Sequence, residues 1–267
     1  MVLPRAPFYG LSNEAWSPLK VIAVLYDIHA NQPALEAVLR EIGQFPIEQI
    51  IVGGDVLPGP MPRETLLLLN ELAVPVQFLY GNGEVAVLNY LKSKDPASIP
   101  AQYRSAIVWT AEQLDSEDEK ALASWPFTLR LEQSGIGDVL FCHATPRNEN
   151  EIFSRATPED RLLPIFENVD VAVVVCGHTH MQFDRIIGKT RVLNAGSVGM
   201  PFGAPGADWL LLGPGIQFRH TEYDLEQAAA RVRQTGYPDA ENFAARSILH
   251  PPSEDEVLRL FTPAELK

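Results

Sequence analysis

The chain contains very little cysteine. Only Cys142 and Cys176 occur among its 267 residues, and each lies inside an apolar run. A secreted protein held together by disulfides carries several cysteines at regular spacing, so that class is excluded. We expect a reducing cytosol as the compartment and two buried thiols that serve as packing residues.

Long apolar runs are missing as well. No stretch approaches the length of about 18 uninterrupted apolar residues that a membrane-spanning helix needs. The segment 1–20 contains Pro4, Arg5, Pro7 and Asn13, where a signal peptide needs an apolar core. We therefore expect a cytoplasmic protein with no membrane partner.

Positive charge is scarce. The 21 lysines and arginines are outnumbered by 34 aspartates and glutamates, which gives a formal net charge of −13. This is the wrong sign for a protein that binds long nucleic acid by neutralising phosphates over a broad face. A phosphorylated partner would have to be small and held at a locally positive site.

The first half of the chain alternates short β-branched runs with helical patterns. The expected strands are residues 21–26, 49–52 and 76–80, and the expected helices are residues 33–42 and 64–72. This alternation predicts parallel strands with right-handed crossover helices. Residues 84–125 are expected to be mainly helical.

The second half changes to short strands separated by glycine, proline or polar residues. We expect these strands to form a second, partly antiparallel sheet from residues 127–131, 139–142, 171–176, 182–187, 191–193, 209–212 and 216–223. Terminal helices are expected at 225–233 and 240–247.

Residues that can carry chemistry gather at the ends of the expected strands. Four of the six histidines lie there, each beside a glycine or near a carboxylate. Because an extended chain has a period of two, Asp27 and His29 should point to the same side, and so should His178 and His180. These positions lie at the edge where open α/β sheets bind their ligands.

The full set comprises two carboxylates, one amide and four imidazoles: Asp27, His29, Asp55, Asn82, His143, His178 and His180. Seven oxygen and nitrogen ligands are too many for one tetrahedral ion but suit two ions about 3.5–4 Å apart that share a carboxylate. Since thiolates are lacking, the expected cofactor is a pair of divalent manganese, iron, zinc or cobalt ions, with manganese or iron favoured. Any one of these residues alone would more often be a buried histidine or a turn former.

The order of these motifs resembles the calcineurin-like metallophosphoesterase superfamily, in particular its small bacterial phosphodiesterase branch. The resemblance implies an α/β fold, a four-layer αββα sandwich of two mixed sheets flanked by helices. It divides the chain into an N-terminal extension (residues 1–19), a metallophosphoesterase domain (20–223) and a C-terminal helical extension packed on the same domain (224–267).

The resemblance also implies how the ligands are shared. Asp27, His29, Asp55 and His180 would hold one ion, and Asp55, Asn82, His143 and His178 the other. Asp55 would bridge the two ions. The residues assigned to catalysis are Asp55, Asn82 and His143.

One position departs from the superfamily pattern. The third motif usually continues from glycine and asparagine to a histidine that is credited with assisting the leaving group, and here that position is Gly83. Glu84 follows, but beside two divalent cations its carboxylate should stay ionised and be a poor acid. Losing a general acid typically costs about 10²–10⁴ in rate, so we expect a preference for good leaving groups.

These features together predict a dinuclear-metal phosphoesterase that hydrolyses phosphodiesters or nucleotide phosphoanhydrides by a hydroxide bridging the ions. Its partner would be a small phosphorylated substrate such as a nucleotide, and Arg147 and Arg63 are candidate contacts to the phosphate. The alternative is a catalytically weakened protein of this fold that acts as a binding or scaffold module, as a retromer subunit of this architecture illustrates. Gly83 favours the alternative, whereas the complete ligand set favours the enzyme.

Overall fold

The computed structural model describes residues 21–266, so the expected N-terminal extension lies outside the described residues. The strands in chain order are β1 (Ile22–Leu25), β2 (Gln49–Gly53), β3 (Val76–Leu79), β4 (Thr128–Gln133), β5 (Gly137–Cys142), β6 (Val173–Cys176), β7 (Phe183–Ile187), β8 (Thr190–Asn194), β9 (Ala207–Leu212) and β10 (Ile216–Thr221). The helices are α1 (Gln32–Ile42), α2 (Pro62–Asn70), α3 (Asn82–Ser93), α4 (Ala101–Gln113), α5 (Ser116–Ser124), α6 (Glu159–Phe166), α7 (Leu225–Arg233), α8 (Ala240–Phe243) and α9 (Glu254–Phe261).

The first sheet has the strand order β10-β9-β1-β2-β3. Its strands β1, β2 and β3 are parallel and are joined through α1 and α2, as the alternating pattern predicts. The expectation that residues 209–212 and 216–223 belong to the second sheet is wrong. β9 pairs antiparallel with the edge of β1 that β2 leaves free. All six residues of β9 are buried, and at this position in the sheet both of its faces are covered.

The second sheet has the order β4-β5-β6-β8-β7. Its central strands β5, β6 and β8 are parallel, and the edge strands β4 and β7 run antiparallel to their neighbours. Both sheets are therefore mixed, and each has a parallel centre whose carboxyl ends can present loop residues side by side.

The strands of the first sheet are apolar on both faces. In β1, Ile22 and Val24 pack toward the second sheet, whereas Ala23 and Leu25 pack in the cluster that contains the buried faces of α1 and α2. On the outer face of the second sheet, Phe166 of α6 packs in a third cluster. This arrangement confirms the four-layer αββα sandwich of two mixed sheets flanked by helices.

The helices that follow β10 pack onto the same body. Val232 of α7 and Phe243 of α8 share a buried cluster with Met61 and Trp109 from the first half of the chain. Within residues 21–266, no helix combines the length and apolarity that a membrane crossing requires. Both cysteines are free and buried, as expected.

Tyr26 connects the two sheets directly beneath the strand ends. Its hydroxyl donates a hydrogen bond of 2.9 Å to the carbonyl of Val175 in β6, and the side chain is fully buried. A Cβ atom at Gly53 would lie 2.0 Å from the Tyr26 ring, and one at Gly177 would lie 2.5 Å from it. The two glycines therefore let the ring fill the space between the sheets, one residue before Asp27.

Tyr26→Phe is expected to lower the free energy of unfolding by about 1–2 kcal/mol, because the buried Val175 carbonyl loses this donor. Urea denaturation of the metal-free protein measures the change. Tyr103→Phe is the matched control, because it removes the same hydroxyl from a tyrosine that is 58% exposed. Equal stability of the two variants would contradict the bridging role of the Tyr26 hydroxyl.

Candidate metal centre

The seven expected ligands all follow strands of the parallel centres. Asp27 follows β1, Asp55 follows β2 and Asn82 begins α3 just after β3. In the second sheet, His143 directly follows β5, and His178 and His180 follow β6. The structure brings all seven side chains to one end of the sandwich.

Asp27 lies at the middle of the cluster. Its Oδ1 atom is 3.2 Å from Nε2 of His180 and 3.9 Å from Nε2 of both His29 and His143. Its Oδ2 atom accepts a hydrogen bond of 2.8 Å from the backbone N–H of His178. One group of mutually close ligand atoms therefore consists of Asp27, His29 and His180.

Asp55 directs one oxygen toward each side of the cluster. Its Oδ2 atom is 3.8 Å from Nε2 of His29, and its Oδ1 atom is 3.5 Å from Nε2 of His143. A second group of close ligand atoms comprises Asp27, Asp55 and His143. The two-sided placement suits a bridging carboxylate, although Asp27 rather than Asp55 is common to the two groups.

Asn82 and His178 extend the cluster on the His143 side. Oδ1 of Asn82 is 3.1 Å from Nε2 of His143, and the ring centres of His143 and His178 are 5.1 Å apart. His178 belongs to neither group of close ligand atoms. Its ring therefore lies at the edge of the cluster.

Each of the four imidazoles hydrogen-bonds a backbone carbonyl. A carbonyl oxygen only accepts, so the ring nitrogen that faces it carries the proton and the other nitrogen keeps a lone pair, as metal-ligating histidines require. The bonds join His143 Nδ1 to Gly53 O at 3.0 Å, His180 Nδ1 to Met200 O at 2.8 Å, His178 Nε2 to Asn150 O at 3.3 Å, and the His29 ring to the Pro58 carbonyl.

Burial and charge act on the same groups. Burial lowers the pKa of His29 and of His178 to about 3, so both rings are neutral near pH 7. Burial alone would raise the pKa of Asp27, but the imidazoles of His180 and His143 hold it below its ordinary value. Burial, together with the charge of Asp27, raises the pKa of Asp55, and the Asp27 carboxylate raises the pKa of His180 although burial opposes it. Carboxylate and imidazole together are the donor groups of divalent metal sites.

The Oδ1 atom of Asp27 provides a direct test of whether a cation fits. It is buried and makes no hydrogen bond of acceptable geometry, although imidazole nitrogens surround it. Burying such an oxygen without a partner is costly, and a cation held between carboxylate and imidazole lone pairs removes that cost. The residues present thus fit a metal centre.

The backbone of the ligands is not extended. Five of the seven ligands have left-handed φ values: Asp27 at 53°, His29 at 48°, Asp55 at 50°, His178 at 66° and His180 at 54°. The two-residue period assumed for the histidine motifs is therefore wrong, although the side chains do converge. Non-glycine residues in this region are strained and persist where the surrounding structure holds them.

Glu84 is a site residue whose role the sequence reasoning missed. Its carboxylate accepts three backbone N–H bonds, from Asp55 at 2.8 Å, Leu57 at 2.9 Å and Gly81 at 2.8 Å. Burial, together with the charge of Asp55, raises its pKa to about 7. Glu84 therefore braces the loops that carry Asp55 and Asn82, and its place three residues after Gly81 is the capping-box position that could have indicated this.

Gly83 occupies a position with no room for a side chain. A Cβ atom there would lie 2.0 Å from the carbonyl oxygen of Leu57 and 3.0 Å from Oδ1 of Asp55. The Gly83 N–H donates a bond of 2.7 Å to that same Asp55 oxygen. A histidine at this position would have to displace the Leu57 backbone.

The two arginines expected to contact substrate phosphate are paired with acids. Nη2 of Arg147 lies 2.6 Å from Glu151, and Nη2 of Arg63 lies 2.6 Å from Asp115. Both arginine side chains are about half exposed. Their role in phosphate binding stays a prediction.

The sandwich and its cluster of carboxylates and imidazoles at the strand ends define an α/β protein built to bind metal ions. Residues 21–212 match the family model described as the calcineurin-like phosphoesterase superfamily domain. The chain belongs to that superfamily.

Relatives and solved structures agree with this assignment. The uncharacterized protein MJ0912 of Methanocaldococcus jannaschii is 29% identical over 240 residues, which cover 82% of this chain and 94% of MJ0912. A metallophosphoesterase from Sphaerobacter thermophilus has a TM-score of 0.66 at 27% identity, with 85% of this chain and 98% of that chain covered. The hypothetical protein PH1004 from Pyrococcus horikoshii OT3 has a TM-score of 0.76 at 22% identity, with 88% and 100% covered, and shows the same fold.

Glu84→Gln is expected to lower the free energy of unfolding of the metal-free protein by about 1–3 kcal/mol, because the new amide group opposes a buried backbone N–H. Urea denaturation measures this change. Glu71→Gln makes the same substitution at an exposed position and is the control. If both variants are as stable as the wild type, Glu84 does not brace the two loops.

Proposed function

We propose that the protein is a metal-dependent phosphoesterase that hydrolyses phosphodiesters or nucleotide phosphoanhydrides. The observation that carries this proposal is the convergence of two carboxylates, one amide and four imidazoles around the unpartnered Oδ1 atom of Asp27. In this proposal residues 20–223 are the catalytic domain, residues 224–267 pack on it, and the free thiols suit a reducing cytoplasm.

The ligand division in this proposal is the one that the resemblance implies, and the close approach of Asp27, His29 and His180 supports its first half. Asp27, His29, Asp55 and His180 would hold one ion, and Asp55, Asn82, His143 and His178 the other. When bound, two divalent cations, with manganese or iron favoured, supply Lewis-acid activation of water and of the phosphoryl group. Asp55 and Asp27 fix the cluster, since their oxygens face imidazoles on both sides.

Charge explains how an acidic protein can attract a phosphoryl anion. The seven ligands include only two carboxylates, whose formal charge balances half of that of two divalent cations. The loaded centre would therefore be a positive spot on a chain with a net charge of −13. Such a local field suits a small phosphorylated substrate and does not suit a long nucleic acid.

Exposure indicates the side from which the substrate approaches. Asp27 and His143 are fully buried, whereas His29, Asn82 and His178 are partly exposed. In this proposal the substrate phosphoryl group approaches from the side where these three side chains are exposed. The buried ligands lie beneath it.

The third motif supports a preference for good leaving groups. Gly83 offers no side chain and has no room for one. Both oxygens of Glu84 already accept backbone N–H bonds, and an asparagine amide is not a useful acid. No residue of this motif is thus available to protonate a leaving oxygen, so aryl esters and phosphoanhydrides suit the site better than alkyl phosphomonoesters.

Gly83 also favours the second candidate function, a binding or scaffold module in which catalysis has decayed. The two candidates share the fold and the metal ligands and differ in turnover. An assay of the loaded protein therefore separates them.

Wild-type protein loaded with Mn²⁺ is expected to bind two equivalents of metal and to hydrolyse bis(p-nitrophenyl) phosphate. Asp55→Asn removes the two-sided carboxylate and should lower kcat by at least about 10²-fold, as expected when the reacting groups are misplaced. The control is Asp95→Asn, at an exposed position outside the cluster. Binding of two equivalents of Mn²⁺ or Fe²⁺ without turnover of any phosphoester or anhydride would favour the scaffold function.

The rate on a series of aryl phosphodiesters is expected to fall steeply as the pKa of the leaving phenol rises, because the third motif offers no side chain that can donate a proton to the departing oxygen. Single-turnover rates of the Mn²⁺-loaded protein at one pH give the slope. Alkyl phosphomonoesters should lie at the slow end. A slope near zero would show that a proton donor operates and would refute the argument from Gly83.

A further inference from the structure

The last part of the chain, residues 250–266, crosses between two loops that contact histidines of the metal centre; it is called the C-terminal strap below. One loop, residues 143–158, follows β5, and the other, residues 195–206, follows β8. The strap is hydrogen-bonded to both. Leu266 donates from its backbone N–H to the carbonyl of Ile152 at 3.0 Å, and Gly203 donates to the carbonyl of Pro252 at 2.9 Å.

At the 195–206 loop, the strap reaches a metal ligand through two aromatic rings. The Phe202 ring stacks on the His180 imidazole, with ring centres 5.2 Å apart and an interplanar angle of 22°. Phe261 of α9 packs its ring against Phe202, with centres 6.3 Å apart at 68°. The same loop supplies the Met200 carbonyl to Nδ1 of His180 and bonds the His180 carbonyl through the Phe202 N–H.

At the 143–158 loop, the strap contacts the segment that faces His178. The Asn150 carbonyl lies 3.3 Å from Nε2 of His178. A few residues on, the buried carboxylate of Glu265 in the strap accepts bonds from Thr157 Oγ1 at 2.7 Å and Ser154 Oγ at 3.3 Å. Arg155 and Glu254 form an ion pair between the same loop and α9.

We infer that the C-terminal strap positions the two histidines of the 177–180 motif, with Phe202 and Phe261 holding the imidazole of His180 and Glu265 holding the loop that orients His178. This inference rests on the metal centre of the proposed function. It does not depend on which reaction the centre catalyses.

The backbone explains why these histidines need external support. His178 and His180 both have left-handed φ values, 66° and 54°, with a single threonine between them. Strained residues keep their conformation only when neighbouring structure holds them. Groups that orient a ligating imidazole from behind typically contribute about 10–100-fold to metal affinity.

Phe202 and Phe261 are positioning residues in this inference, and the competing explanation is that they only add apolar packing. A purely packing role would change stability and leave the metal environment unaltered. The informative readouts are therefore metal affinity and the absorption spectrum of bound Co²⁺, measured on the full chain.

The experiment compares four variants with the wild type. Phe202→Leu and Phe261→Ala remove the rings, and Phe202→Tyr keeps a stacking ring and should restore wild-type behaviour. Leu260→Ala is the matched control, because Leu260 is the neighbour of Phe261 on α9 and is 73% exposed. Mn²⁺ affinity is measured by titration calorimetry, and circular dichroism of the metal-free proteins verifies that each variant is folded.

The expected result is a loss of Mn²⁺ affinity of about 10-fold or more for at least one ion in Phe202→Leu, with a smaller loss in Phe261→Ala and an altered Co²⁺ spectrum in both. Phe202→Tyr and Leu260→Ala should match the wild type. Wild-type affinity and spectrum in both ring-removing variants would overturn the inference while leaving the metal centre intact. If Phe202→Leu does not fold, the inference is tested by comparing the Mn²⁺ affinity and the Co²⁺ spectrum of Phe261→Ala with those of Leu260→Ala. Failure of the wild type itself to bind Mn²⁺ or Co²⁺ would instead overturn the metal centre and the inference with it.

Discussion

The buried carboxylate of Asp27 imposes the strongest constraint on the structure. Its Oδ1 atom has imidazole nitrogens on several sides and no well-directed hydrogen bond, so a cation bound there would offset the loss of hydration. The rest of the site can be understood from this constraint. Asp55 faces the same imidazoles from the other side, and backbone carbonyls behind the rings set their tautomers so that lone pairs point inward.

Both sheets supply side chains to the cluster around Asp27. The first sheet contributes the carboxylates and the amide, and the second contributes three of the four histidines. Tyr26 directly precedes Asp27, and its hydroxyl donates a hydrogen bond to β6. The same contact therefore fixes the distance between the sheets and the position of the Asp27 carboxylate. Glu84 then joins the loops after β2 and β3 by three backbone N–H bonds. The same packing requires a glycine at position 83, because the Leu57 carbonyl occupies the space that a side chain would need.

Some features of the fold and of the site could not be predicted, because they depend on contacts between residues that lie far apart in the sequence. The membership of β9 and β10 in the first sheet was mispredicted, since a short apolar strand carries no mark of the edge on which it pairs. The left-handed backbone at five ligands was also not predicted, because such φ values are uncommon for non-glycine residues and depend here on the surrounding structure. Glu84 was considered only as an acid, although its spacing from Gly81 was compatible with capping.

Local sequence patterns were enough to predict the parallel β1, β2 and β3 with their crossover helices, and the residues that gather at the strand ends. These depend on local periodicity and on the rule that parallel strands present their carboxyl ends at one edge. The side chains that support the cluster of ligands could be identified only from the folded chain. The contacts of Tyr26 with β6, of Asp27 with the His178 backbone and of the C-terminal strap with both loops join residues that are mostly more than 50 positions apart. No local pattern encodes such pairs, because they form only when the two sheets pack face to face.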